Sequence, residues 1–100
     1  MADIAFHREA STDIEGLYHF SLAQFGEAVA DDYLDGLHAA VLRLGAYPET
    51  GREEHGIVPP VRVLPYRCHK IYYRFDGKTV LVVRVLHHAM NAVARLTEEN

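Results

Sequence analysis

Cysteine is nearly absent from this chain. Cys68 stands alone among 100 residues, so no internal disulfide can form and nothing points to an oxidising compartment. Long apolar runs are missing too. The longest, Thr79 to Leu86, is broken by Arg84 and falls far short of the roughly 20 residues that span a bilayer. The start, Met1-Ala-Asp-Ile-Ala-Phe-His-Arg8, lacks the basic residues followed by an apolar stretch of a secretory leader. The cytoplasm is the expected compartment. Positive charge is not in excess: the net charge is −4, which speaks against a nucleic-acid binder working by bulk electrostatics. There is no phosphate-cradling glycine loop, no dinucleotide fingerprint, no internal repeat, no low-complexity tract and no linker.

What is present suits one folded unit. Apolar residues make up 49% and charged residues 24%, enough to build a shared core over a length typical of one domain. A single domain covering 1–100 is expected. The charge is strongly divided along the chain. Residues 1–50 carry nine acids against Arg8 and Arg43, whereas residues 51–100 carry eight basic groups against five acids. Such a bipolar molecule can offer a basic face to an acidic partner.

Periodicity divides the chain in the same place. Asp3 to His7 alternates as a short strand. Ala10, Ile14, Leu17, Tyr18, Ser21 and Phe25 follow helical spacing, predicting a helix from about Glu9 to Phe25, or from Thr12 if Thr12 and Glu15 form a capping box. Gly26 ends it. Ala30, Tyr33, Leu34, Leu37, Val41 and Leu44 form the stripe of a second helix, about Glu27 to Ala46. A connection this short forces an antiparallel hairpin. Pro48 and Gly51 then stop the helix and open a polar loop to about Pro60. Val61–Tyr66, Cys68–Phe75 and Thr79–His88 read as strands, with Asp76-Gly77 as a hairpin turn and Pro65 at an edge or bulge. The third of these is so apolar that both its faces should be covered. The expected class is α+β: a short N-terminal strand and a helical hairpin packed on a small, mostly antiparallel sheet, in the order β-α-α-β-β-β.

Candidate chemistry is sparse. Cys68 and His69 are neighbours on a strand and should point to opposite faces, which rules them out as a nucleophile–base pair. His87 and His88 should point apart for the same reason. The seven histidines show no usual ligand spacing, so neither a metal nor another cofactor is expected. One constellation survives. A two-residue Asp76-Gly77 turn sets His69 opposite Arg84 and Arg67 opposite Leu86; a one-residue shift would instead set Lys70 opposite Arg84. Either register gathers a cationic cluster of Arg67 or Lys70 with Arg84 and His88, close to Arg62. Two readings of Arg84 follow. It is either paired with a carboxylate from the acidic helices or part of a recognition surface, and the second is expected because carboxylates are nearly absent from the chain segment around these strands, where Asp76 is the one acid between residues 55 and 95.

The order of short segments is recognisable: Asp13-Ile-x-x-Leu17-Tyr, Gly26-Glu-Ala-Val-Ala30, Pro48-Glu-Thr-Gly51-Arg, Val61-Arg-Val-Leu-Pro-Tyr66, Ile71-Tyr-Tyr-Arg-Phe-Asp-Gly77 and Val83-Arg-Val-Leu-His87-His-Ala-Met-Asn91. Together they resemble the ParE branch of the ParE/RelE superfamily, the toxins of type II toxin–antitoxin modules, from Asp3 to about Arg95. The resemblance implies a toxin that is not an enzyme, poisons DNA gyrase and blocks replication, and is held silent in a hetero-oligomeric complex by a small antitoxin, for which a ribbon-helix-helix type is one candidate. It implies interaction residues among Arg62, Arg67, Lys70, Arg84, His88 and Met90, with Tyr18, Tyr33 and Tyr47 as a further antitoxin surface. The alternatives are an mRNA endonuclease acting on the ribosome, as in the RelE branch, or an inactive or retargeted binding module. Lys70 and His88 fall near positions where the RelE branch carries arginines, and the tail after His88 contains no tyrosine.

Overall fold

The computed structural model describes residues 1–97. Its elements run β1 (Asp3–Phe6), α1 (Arg8–Phe25), α2 (Glu27–Ala46), β2 (Arg52–Glu54), β3 (Val61–Tyr66), β4 (His69–Phe75), β5 (Thr79–His87) and α3 (Ala92–Thr97). The α+β class, the helical hairpin and the mostly antiparallel sheet are as the periodicity predicts. Among the described residues no helix is long and apolar enough to cross a membrane.

The two long helices form because each carries one apolar stripe. Ala10, Leu17 and Ser21 are buried on α1, and Ala30, Leu37, Ala40, Val41 and Leu44 on α2. Gly26 alone separates them. It sits at φ +89, a conformation that costs an L side chain energy and suits glycine, so the chain can reverse in one residue. The start of α1 differs from the capping-box reading. His7 is the N-cap, its Nδ1 accepting the Glu9 N–H at 3.2 Å, while the Thr12 hydroxyl donates back to the Arg8 carbonyl. The helix therefore begins one turn before Thr12.

The sheet has the order β1-β5-β4-β3-β2. β1 lies parallel to β5, with Ile4 opposite Val80, and every other pairing is antiparallel. β2 was not legible in the polar loop, because its three residues, Arg-Glu-Glu, have no apolar alternation and simply edge onto β3. Pro65 fits the expected edge position: β2 covers only Val61 to Val63, so β3 is unflanked where the proline stands.

The expected hairpin register is wrong in both its versions. The pair closing the β4–β5 turn is Phe75 and Val80, leaving Asp76 to Thr79 between them. Asp76 Oδ1 accepts the N–H groups of Lys78 (2.9 Å) and Thr79 (2.8 Å), which stabilises this wider turn over a two-residue one. Further along, the register shifts once more, because Val83 is an extra residue opposite Tyr72 and Tyr73. As a result Arg84 lies opposite Tyr72, and His69 opposite His87.

β5 is buried on both faces, as its composition predicts. Val82 and Val85 join Ile71 beneath the helices, together with Leu17, Leu37 and Val41. Val83 and Leu86 join Val61, Val63 and Tyr72 on the other face. That second face is closed by Ile57 from the long loop and by Ala92 and Leu96 of α3. The short helix α3 was not anticipated, since six residues carry too little periodicity to show.

Tyr73 ties the sheet to the turn after α2. Its side chain is fully buried, its hydroxyl accepting the Gly51 N–H at 2.8 Å and donating to the Pro48 carbonyl at 2.7 Å. Tyr73→Phe keeps the ring and strands both backbone groups, so a loss of about 1–3 kcal/mol is expected in urea denaturation. An unchanged midpoint would show that water replaces the hydroxyl at no cost.

Candidate interaction surface

The residues singled out in the sequence do not form one cluster. Arg84 meets Asp13 of α1: Nε donates to Oδ2 at 2.7 Å and Nη2 to Oδ1 at 2.9 Å. Asp13 Oδ2 also accepts the Val85 N–H at 3.0 Å. The arginine and aspartate side chains are only 11% and 14% exposed. This corrects the expectation that Arg84 belongs to an open recognition face. Its carboxylate comes from the acidic half of the chain, 71 residues away, which a count of neighbouring acids on the strands could not find.

Arg62 is also committed, at a different place. It is opposite Tyr73, and its Nη1 donates to the carbonyls of Gly51 (2.7 Å) and Glu49 (3.3 Å) while Nη2 lies 3.5 Å from the Glu53 carboxylate. The arginine thus fastens the loop after α2 to β3. Lys70 lies opposite Pro65 and Leu86, so strand alternation sets it on the face away from the helices.

The end of the sheet far from the Asp76 turn is where the rest collects. Arg67 and Cys68 form the two-residue connection from β3 to β4, and both side chains are exposed. Behind them the Tyr33 hydroxyl lies 2.8 Å from His69 Nδ1 and accepts the Cys68 N–H at 3.2 Å. The Tyr66 hydroxyl donates to the Tyr33 carbonyl at 3.1 Å, and its ring packs against Gly36 in the space a Cβ would need. Glycine at 36 is therefore what lets β3 approach α2 so closely.

Three imidazoles continue the row. The rings of His69 and His87 meet edge to face at 5.4 Å between centroids, and those of His87 and His88 stack at 4.4 Å. His87 and His88 were expected to point apart; they do not, because β5 ends at His87 and strand alternation no longer governs His88. Burial first, then the neighbouring His87 and His88, holds the His69 pKa below its ordinary 6.5, while Tyr33 is pushed up, chiefly by burial. Beside this row a shallow groove of about 270 Å³ runs between α1 and the sheet, lined by Gly16, Leu17, His69, Val85, His87 and the half-exposed Met90. Among the described residues no group of three or more His, Cys, Asp or Glu side chains is arranged to hold a metal ion.

The tyrosines differ in accessibility. Tyr47 is exposed, Tyr18 donates to Asp31 Oδ1 at 2.9 Å, and Tyr33 is partly buried at the sheet end. Sequence reasoning missed Asp13 and the Tyr33–His69 contact. The acidic composition of the helices pointed to a carboxylate for Arg84 without naming which one.

Two outcomes follow from this geometry. Arg84→Ala and Asp13→Ala should each cost roughly 3–5 kcal/mol in urea denaturation, because each strands a buried charge, while Asp13→Leu with Arg84→Met should cost far less than their sum. Strictly additive losses would show that the pair is not coupled. Because the folded state disfavours protonated His69, it binds fewer protons than the unfolded chain below pH 6.5. Stability should therefore fall as the pH drops through 6.5, and His69→Gln should flatten that part of the melting-temperature profile. An equally steep profile in the variant would assign the acid sensitivity elsewhere.

Comparison with known proteins identifies the family. The model described as "ParE toxin of type II toxin-antitoxin system, parDE" matches residues 4–92. The chain is 35% identical over 83 residues to Toxin ParE1 of Mycobacterium tuberculosis, covering 82% of this chain and 85% of the relative. It is 28% identical over 89 residues to Toxin ParE3 of Caulobacter vibrioides, covering 89% of each. A solved structure titled "Chromosomal ParDE TA system from P. aeruginosa" shares the fold, with a TM-score of 0.75 at 23% identity over 87% of this chain and 96% of that one. With residues 4–92 matched, the chain belongs to the ParE toxin family of type II toxin–antitoxin systems.

Proposed function

We propose that this chain blocks replication by binding and poisoning DNA gyrase, that it has no catalytic site of its own, and that a cognate antitoxin holds it silent in a hetero-oligomeric complex. The observation that carries this reading is the ParE family match over residues 4–92. The whole chain acts as one toxin domain in this reading.

The charge layout supports a binding role over an RNA-cutting one. Cleavage next to a ribose 2′-hydroxyl needs cations free to stabilise a charged phosphorane and a group to protonate the leaving oxygen. Two of the arginines nearest the sheet are already spent on Asp13 and on the Gly51 and Glu53 region. A net charge of −4 is also a poor match for a ribosome, where phosphate contacts dominate affinity. The exposed residues Arg67, His88 and Met90, with the partly buried Lys70, are the proposed contact surface for the antitoxin or the target.

Purified chain added to gyrase should stop supercoiling or accumulate cleaved DNA, while mRNA in a translating extract stays intact. Intact supercoiling with mRNA cut at ribosome-bound codons would overturn the reading. Expression should arrest growth, and co-expression of the antitoxin encoded beside the gene should restore it.

A further inference from the structure

Arg67 stands where its backbone favours glycine. At φ +50 it is the only non-glycine residue with a positive φ among those described, in a two-residue turn between Tyr66 and His69. An arginine there carries a strain that glycine would remove. Strain of this kind persists where the side chain is useful.

The side chain is also held in place. Its guanidinium carbon lies 5.3 Å from the centroids of both the Tyr33 and Tyr66 rings, which stand edge to face beside each other and hold it by cation–π attraction. Those rings are themselves fixed, Tyr66 by its bond to the Tyr33 carbonyl and Tyr33 by His69 and the Cys68 N–H. Yet the arginine's one hydrogen bond among the described residues is a long one, Nη1 to Asp32 Oδ2 at 3.4 Å, between side chains 51% and 74% exposed. A guanidinium has five N–H donors in a fork that fits a carboxylate. Most of that fork is unused here.

We infer that Arg67 is a preset carboxylate receptor for an acidic side chain of the antitoxin, with Asp32 as a weak internal placeholder that the incoming carboxylate displaces. This rests on the antitoxin clause of the proposed function. A phosphate backbone is a poorer fit, because Asp31, Asp32 and Asp35 lie along the same stretch of α2 and would repel a continuous line of phosphates. A single carboxylate meets that repulsion once and gains two parallel N–H···O bonds. A DNA-handling target presents cations along its DNA path, which assigns the anionic contact to the antitoxin.

The test uses two variants with opposite expected signs. The full chain, Arg67→Gly and Asp32→Asn are titrated at low and moderate salt with the antitoxin encoded beside the gene, and each is melted to check folding. Arg67→Gly should weaken binding at least tenfold with a melting temperature equal to or above that of the unaltered chain. Asp32→Asn should tighten binding severalfold, because the fork is released. If Arg67→Gly binds as well as the unaltered chain, the inference falls. If Arg67→Gly both melts early and binds poorly, Asp32→Asn decides: tighter binding upholds the receptor, and weaker binding shows that the Arg67–Asp32 pair is structural. Failure of the unaltered chain to bind that protein overturns the antitoxin reading and the inference with it.

Discussion

Asp13 makes three hydrogen bonds to one strand, and the arrangement of the molecule follows from them. β1 accompanies β5 only as far as Val82, where the chain turns into α1. Beyond that point the outer edge of β5 would expose unpaired backbone in a partly buried position. Asp13, in the second turn of α1, takes the Val85 N–H and holds the Arg84 guanidinium in two further bonds. The helix thus continues the sheet edge with a carboxylate in place of a strand. Neither charge is tolerable alone at this depth, so the pair fixes where α1 crosses the sheet.

The bulge at Val83 is part of the same solution. By inserting one residue, the strand keeps Val82 and Val85 together beneath the helices and Val83 and Leu86 together on the opposite face. Arg84, between them, reaches the carboxylate on α1. A regular strand would have sent alternate residues to fixed faces throughout and broken one of the two cores.

These internal pairings also shape the electrostatics. Division of charge along the sequence suggested a basic sheet facing outward. In the folded chain, acids from α1, from the turn after α2 and from β2 meet the arginines of the strands: Asp13 with Arg84, and Glu49 and Glu53 with Arg62. Much of the bipolarity is spent holding helices and loop to the sheet. At the end of the sheet far from the Asp76 turn, Arg67 and the stacked His87 and His88 stay exposed, and His87 and Met90 border a groove beside Gly16.

The sequence by itself determined the elements whose periodicity is long: both helices, with Gly26 between them, and the strand β3 at its observed bounds. It also carried the doubly buried character of β5 and the family, because both depend on local order and composition. It did not determine the short pieces, β2 and α3, whose few residues gain their structure from what they pack against. Nor did it determine register. Asp76 chose the turn by its own hydrogen bonds, and the Val83 bulge answered to two cores at once, neither of which is visible in a strand read alone. The fate of each arginine was decided last, by tertiary structure. A buried cation needs a carboxylate within about 3 Å, and only the folding of α1 over β5 brings Asp13 there.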